Sequence, residues 1–271
     1  MDSLIKAIQG HEIWVLAERS HGHRGHQVAG RIFYGHAMHP DGMADLARLK
    51  ATATGPNQEK AEVSLREGKG GFHLAVFTPE QEGIWTLAVE NDVGPLVVTE
   101  DGLYKYGTRR DYPNAQKAAY YYQYAKTCIP VGHGHCCQLS DRKQKSYTHC
   151  GQYQHEHRDS NHHRNEFSFL GHRLEIAASP VLCRKKQEVT IEVRYRGLPL
   201  PWVNLCTTWS FYEKKDYPFQ AKTDAEGRVK IPLRAEGHWL FYVRYEDNHA
   251  AKEGEYDQEV YSATFTIFGV R

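Results

Sequence analysis

The chain has 271 residues, 40% of them hydrophobic and 25% charged, which is ordinary for a globular protein long enough for two domains. Its formal net charge of +1 argues against the basic surface that a nucleic-acid or polyanion binder needs. The sequence has no apolar run of about 18 residues and therefore predicts no transmembrane helix.

Short strand-like runs follow one another in the first part of the chain, separated by clusters of Gly, Pro, Asn and Asp. Their spacing of roughly 8–12 residues is typical of an all-β sandwich. The predicted strands are HEIWVLA from His11, QVAGRIFY (27–34), AEVSL (61–65), FHLAVFT (72–78), IWTLAVE (84–90) and PLVVT (95–99). The segment 114–126 is ambiguous, because its alanines favour helix whereas its tyrosines favour strand.

The segment 128–171, with His172 directly after it, has an unusual composition: it is rich in His and Cys and poor in aliphatic residues. It contains four of the six cysteines of the chain. Imidazole and thiolate bind borderline and soft divalent metals, so this density predicts a metal site or a metal-capturing tether. A polar surface loop with disulfides and incidental histidines is the alternative.

A second β pattern begins near His172. Its predicted strands are RLEIAAS, EVTIEVRY, WVNLCTTW, VKIPL, HWLFYVRY and EVYSATFTIF, with a turn at TDAEGR. The sequence thus predicts an all-β fold of two β-sandwich domains, immunoglobulin-like or transthyretin-like. The predicted boundaries are 11–127 for the N-terminal sandwich with the metal site, 128–171 for the His/Cys-rich loop and 172–271 for the C-terminal sandwich.

Cysteine usage predicts an oxidising, extracytoplasmic compartment, since six cysteines include the adjacent pair Cys136 and Cys137. We expect a native export signal to be absent from the first ten residues, MDSLIKAIQG, because they lack an apolar core. Cys183 and Cys206 are predicted to be a structural disulfide or buried thiols.

Several motifs, in this order, resemble a family of periplasmic proteins that accompany energy-coupling-factor nickel/cobalt uptake systems. They are HEIW, YGHAMHPDG, CIPVG, RLEIAASP, YRGLPLPWVNL, TDAEGRVKIPL, EGHWLFYVRYED and VYSATFT. The resemblance runs from His11 to about Phe268. The second half also looks like a transthyretin-like sandwich. The chain differs from the family pattern in the ten residues before His11 and in the length of its His/Cys-rich insert.

The resemblance implies a metal-binding, non-enzymatic protein that presents Ni²⁺ or Co²⁺ to a membrane transporter. It also implies that an export signal is cleaved just before His11 and that some members end in a membrane-anchoring helix. The sequence predicts no such helix up to Arg271, so we expect either a soluble member or a chain from which the anchor was removed. A processed His11 then offers its α-amine and its imidazole to one metal ion. On the residues alone, His11 is an ordinary histidine at the start of a strand.

Besides His11, the candidate metal ligands fall into three groups. His36 and His39 lie where a predicted strand enters a turn, and the family motif matches His36; an ordinary surface histidine is the alternative. His21, His23 and His26 add imidazoles if their loop folds back beside His36; otherwise that loop is simply solvated. The candidates inside the insert are His133, His135, Cys136, Cys137, His149 and Cys150.

The function predicted from these residues and the resemblance is extracytoplasmic binding of Ni²⁺ or Co²⁺ for delivery to an uptake transporter. Cu²⁺ and Zn²⁺ also suit imidazole ligands. One alternative is a copper enzyme in which His11 and His36 hold the metal for oxidative chemistry. Another is a general zinc buffer or adhesion module.

Overall fold

A computed structural model describes residues 11–132, 167–183 and 185–271. These residues form strands joined by turns, with one turn of 3-10 helix at Leu46–Arg48 and no α-helix in the described ranges. The prediction of an all-β fold is therefore confirmed. In the same ranges, no helix is long and apolar enough to cross a membrane.

Ten strands begin before the His/Cys-rich segment, the tenth extending into its first four residues, and eight follow it in the part of the chain that the structure describes. The first ten are β1 (Glu12–Ala17), β2 (Val28–His36), β3 (His39–Gly42), β4 (Leu49–Thr54), β5 (Lys60–Ala61), β6 (Ser64–Glu67), β7 (His73–Phe77), β8 (Gly83–Val98), β9 (Tyr104–Tyr106) and β10 (Lys117–Val131). The others are β11 (Leu174–Ser179), β12 (Glu188–Tyr195), β13 (Leu198–Pro199), β14 (Asn204–Trp209), β15 (Phe219–Lys222), β16 (Arg228–Pro232), β17 (Gly237–Asp247) and β18 (Gln258–Val270).

The structure corrects one predicted strand break and resolves one ambiguous segment. The runs 84–90 and 95–99, predicted as separate strands, merge into the single strand β8, which ends at Val98. The register of β8 against β10 shifts between Asp92 and Gly94, and Gly94 has a positive φ of 85°. A bulge at this point lets the strand bend and continue, so the Gly-Pro pair does not end it. The ambiguous segment 114–126 contributes to β10, where pairing on both sides decides for strand.

The strands form three sheets. A five-stranded sheet has the order β1-β2-β7-β6 with β3 on β2, and a four-stranded sheet has the order β11-β12-β13 with β16 on β12. A nine-stranded sheet runs β15-β14-β17-β18-β10-β8-β4-β5 with β9 on β8. In it β10 pairs with β18 in parallel, whereas the other described strand pairs are antiparallel.

Successive residues of β10 enter two different cores, as side-chain alternation along a strand requires. Ala125 and Ile129 join a core with Ile13 and other residues of the first part of the chain. Tyr124 and Cys128 join a core built mostly from the second part. The nine-stranded sheet thus contains strands from both sides of the predicted boundaries, and the division into two domains stays a prediction.

Glu175 fixes the chain where it re-enters the described structure after the His/Cys-rich segment. Its carboxylate accepts hydrogen bonds from the backbone N–H groups of Leu170 (2.7 Å), Gly171 (3.0 Å) and His172 (3.2 Å). It also lies 2.6 Å from Nζ of Lys126, and both side chains are only 3% exposed. Burial lowers the pKa of Lys126, and the carboxylate opposes that shift. The segment's end is therefore anchored to β10.

Candidate metal site

The site begins with a tight hairpin between β2 and β3. His36 pairs with His39, so Ala37 and Met38 form a two-residue turn. Both turn residues have positive φ, 47° and 65°, as a type I′ turn requires. Non-glycine residues at such φ values are strained, and strain of this kind persists where surrounding contacts hold it.

Gly35 allows the end of the hairpin to fold back on itself. A Cβ at this position would lie 2.3 Å from the carbonyl oxygen of His39 and 3.0 Å from Oδ1 of Asp41. No other residue type fits that approach without displacing the backbone. Because Gly35 has no side chain, Asp41 can lie against the strand that carries His36.

His11 reaches the same place from the neighbouring strand. Because Glu12 pairs with Gly35, extending the register by one residue puts His11 across from His36. The two imidazole centroids are 4.3 Å apart, and the ring of Tyr34 stacks on His11 at 4.6 Å. The His11 carbonyl accepts a 2.6 Å hydrogen bond from Nε2 of Gln123 on β10, which fixes its backbone.

Asp41 completes a three-residue group. Its Oδ1 lies 2.8 Å from Nε2 of His11, and its Oδ2 lies 3.9 Å from Nε2 of His36. One donor atom from each of the three residues lies within 4.8 Å of the other two. The side chain of His11 is 1% exposed, whereas those of His36 and Asp41 are about one-third exposed. The group is thus buried on one side and open to solvent on the other.

The second ring nitrogen of His11, Nδ1, is buried and has no hydrogen-bond partner among the described residues. With the proton of the neutral ring on Nε2 beside Asp41, Nδ1 carries the lone pair and can accept a hydrogen bond or bind an ion. Burial lowers the pKa of His11, and a positive charge on His36 would lower it further, while Asp41 opposes both. A lowered pKa keeps the imidazole neutral, which is the form that binds a metal.

Glu12 supports the hairpin from the opposite face of β1. Its buried carboxylate accepts a 2.7 Å hydrogen bond from the backbone N–H of Ala37 and a short one from the hydroxyl of Tyr217. Burial raises the pKa of Glu12 to about 7, and the two hydrogen bonds limit the rise. Tyr217 lies in the loop between β14 and β15, so the second part of the chain helps to hold the turn.

His39, a predicted ligand, points to that same loop and lies outside the three-residue group. Its Nε2 lies 3.2 Å from the carbonyl oxygen of Tyr212 and 3.1 Å from that of Lys214. In this arrangement its N–H group docks the hairpin on the second part of the chain. Its role as a ligand stays a prediction.

The loop with His21, His23 and His26 does not fold back beside His36. It joins the end of β1 to the start of β2. His11 and His36 lie at the other end of this pair of strands. Gly22 forms an isolated bridge with Val131 at the end of β10. Of the two alternatives left open by the sequence, the one in which these imidazoles supplement the His36 site is therefore excluded, because the loop is held elsewhere.

The cysteines give no disulfide among the described residues: Cys128, Cys183 and Cys206 are free. The disulfide alternative for Cys183 and Cys206 is not what the structure shows. Burial raises the pKa of Cys183 to about 12 and, with the charge of Glu12, that of Cys206 to about 11. Such thiols stay protonated at neutral pH and are poor ligands.

The predicted ligands of the insert lie outside the described residues. They are His133, His135, Cys136, Cys137, His149 and Cys150. Conversely, Asp41 was not among the ligands predicted from the sequence, because an Asp-Gly pair is typical of a turn. Its position two residues beyond His39, in a hairpin that begins with Gly-His, was the available signal.

A family model matches residues 8–152, which is more than half of the chain. The chain belongs to the DUF4198 family. That family is described as a domain of unknown function, so membership names the relatives of this chain without assigning an activity. No curated protein matches the sequence.

Several solved structures are distantly similar. The Lin-41 filamin domain is 15% identical with a TM-score of 0.27, covering 46% of this chain and 93% of its own. The D0-D1 domain of intimin is 11% identical with a TM-score of 0.24, covering 95% and 97%. A DUF4785 family protein from Legionella pneumophila is 10% identical with a TM-score of 0.30, covering 86% and 50%.

Proposed function

We propose that this DUF4198 protein binds Ni²⁺ or Co²⁺ outside the cytoplasm and delivers the ion to a membrane uptake transporter. The observation that carries the proposal is the group of His11, His36 and Asp41, with its donor atoms within 4.8 Å of one another. Two imidazoles and a carboxylate suit borderline divalent ions. The choice of nickel or cobalt rests on the sequence resemblance described above.

The geometry of this group suits an ion that must leave again. A closed structural site surrounds its metal with four protein ligands, whereas three donors leave coordination positions open. His36 and Asp41 are partly exposed, so ligands of a receiving protein have access to an ion bound there. Processing before His11, which the resemblance implies, would add an α-amine as a fourth donor beside the imidazole.

Substitution of His36 by Ala tests this proposal. In a calorimetric titration with Ni²⁺, we expect the wild type to bind one ion more tightly than any others. His36→Ala should lower the affinity for this tightly bound ion by at least about 10-fold. His249→Ala, an exposed histidine in the turn between β17 and β18, is the matched control and should leave it unchanged. Tight binding that survives His36→Ala would refute the assignment.

Metal content separates the proposal from its alternatives. The protein should be isolated without chelator from cells supplied with nickel, cobalt, copper and zinc together. Stoichiometric nickel or cobalt supports delivery to a transporter. Stoichiometric copper with peroxide-dependent turnover would instead establish the oxidative enzyme, and zinc alone would establish a buffer.

A further inference from the structure

The loop of His21, His23 and His26 lies far from the group of His11, His36 and Asp41. Strand β1 separates the two, and its six residues at about 3.3 Å each span roughly 20 Å. A single ion therefore cannot bridge them. Any metal bound by this loop occupies a site of its own.

Backbone contacts hold this loop in place. The N–H of Gly22 donates to the carbonyl of Pro130 at 2.8 Å, and the N–H of Gly132 donates back to Gly22 at 3.0 Å. The N–H of Gly25 donates to the carbonyl of Pro79 at 2.8 Å. The loop is thus attached both to the end of β10 and to the chain after β7, so its histidines start from a fixed backbone.

Two pairs among the three rings are spaced like ligands of one ion. The centroids of His21 and His23 are 5.1 Å apart, and those of His23 and His26 are 6.1 Å apart. A metal–nitrogen bond of about 2.0–2.1 Å puts each ring centroid about 3.2 Å from the ion, so two ligands at tetrahedral or wider angles have centroids about 5–6 Å apart. Side-chain rotation must still turn the nitrogens inward, because only the first site already has all three donors within 4.8 Å among the described residues.

A hydrogen bond at Nδ1 prepares the His26 ring for ligation through Nε2. Nδ1 of His26 lies 3.2 Å from the carbonyl oxygen of Arg24, to which it can only donate, so Nε2 of the neutral ring carries the lone pair. Nδ1 of His21 lies 3.2 Å from Oγ of Ser20, a hydroxyl that can donate or accept and so leaves both tautomers of this ring open. A hydrogen bond at the second ring nitrogen is the usual support of a metal-binding histidine, since it fixes the tautomer and raises basicity.

A carboxylate lies close to the bridge that holds the loop. A Cβ on Gly132 would be 2.9 Å from Oε2 of Glu82, so the acidic group lies against the residue that pairs with Gly22. Its negative charge favours a cation nearby. The loop also adjoins Val131, beyond which the sequence continues into the His/Cys-rich segment.

We infer that His21, His23 and His26 form a second binding site for a borderline divalent ion such as Zn²⁺ or Ni²⁺. The site is separate from the group of His11, His36 and Asp41, and its existence does not depend on the proposed transport function.

Modification of the full-length protein by diethyl pyrocarbonate, read peptide by peptide with mass spectrometry, tests this inference. Zn²⁺ alone is the probe, because it is redox-inert and competes with acylation of imidazole nitrogen. We expect Zn²⁺ to slow acylation of His21 and His23 by at least about 5-fold in the wild type. His26 is exposed, so its substitution by Ala should leave the fold intact. In His26→Ala this protection should fall below about 2-fold.

Two further variants make the result specific. His36→Ala should keep the protection of His21 and His23, since it removes a ligand of the other site only, and His249→Ala should also keep it. His23→Ala should abolish protection of His21, which repeats the test at a second position. Unprotected rings in the wild type, protection that survives both loop variants, or protection lost in His36→Ala would each overturn the inference.

Discussion

Gly35 and Asp41 show how single residues create the metal site. The hairpin closes over Gly35 because no Cβ stands between it and His39, and this closure puts the Asp41 carboxylate 2.8 Å from His11. Without Asp41, the two imidazoles would face each other with no negative charge to offset a cation. The carboxylate therefore contributes both a ligand and charge balance.

Asp41→Asn tests that contribution. We expect affinity for Ni²⁺ at the tight site to fall about 10-fold, because a neutral amide oxygen is a weaker ligand than a carboxylate. The fold should persist, since Asp41 lies at the surface. Asp101→Asn, in the turn between β8 and β9, is the matched control in the same calorimetric titration. Equal affinities for Asp41→Asn and the wild type would exclude Asp41 as a ligand.

At the scale of elements, the β2–β3 hairpin carries a turn that its own sequence disfavours. Type I′ turns prefer Asn or Gly at their two central positions, yet Ala37 and Met38 occupy them with positive φ. The contact of Glu12 with the N–H of Ala37, reinforced by Tyr217, holds the turn. The hairpin geometry is therefore set by contacts from β1 and from the second part of the chain.

Met38→Gly should relieve part of this strain. We expect the free energy of unfolding to rise by about 0.5–1 kcal/mol, because the left-handed conformation costs more for Met than the extra unfolded-state entropy costs for Gly. Met43→Gly is the control, since Met43 is 43% exposed and does not have a positive φ. Met43→Gly should lower the free energy of unfolding slightly. Urea titration of both variants and the wild type measures these changes. A loss of stability with Met38→Gly would show that side-chain packing outweighs the strain.

At the scale of the whole molecule, the parallel pairing of β10 with β18 joins strands that are far apart in the sequence. A polar network reinforces this join at one end. The carboxylate of Glu246 on β17 accepts hydrogen bonds from Lys117 on β10 (3.1 Å), Arg244 (2.9 Å) and Gln258 on β18 (2.9 Å). Burial tends to raise the pKa of Glu246, but these bonds outweigh it and lower the pKa to about 2.

This lowered pKa predicts a stability loss in acid. Because the folded-state pKa lies below the usual value of 4.5, the network stabilises the fold above that pH and loses its effect as the pH falls towards 2. Glu246→Gln should reduce the free energy of unfolding at pH 7 by about 1 kcal/mol, after discounting for partial exposure, and by much less near pH 2. Thermal unfolding of the variant and the wild type between pH 2 and pH 7 measures this difference in stability. Glu253→Gln is the control, because Glu253 is exposed. A pH-independent difference would contradict the electrostatic account.

The sequence by itself determined the fold class and most strands, because alternation and turn residues are local properties of the chain. It also identified His36 at a strand end and the enrichment in His and Cys. It did not determine that 83–98 is one bent strand, since a Gly-Pro pair signals a break unless neighbouring strands hold the backbone through it.

Only the tertiary structure decided which of the candidate residues meet. His11 lies across from His36 through the register of β1 and β2, and Tyr217 reaches Glu12 from 205 residues away along the chain. The loop of His21 attaches to the end of β10 rather than to the His36 site. Register and long-range packing depend on the combined burial of many side chains, so no local pattern of residues specifies them.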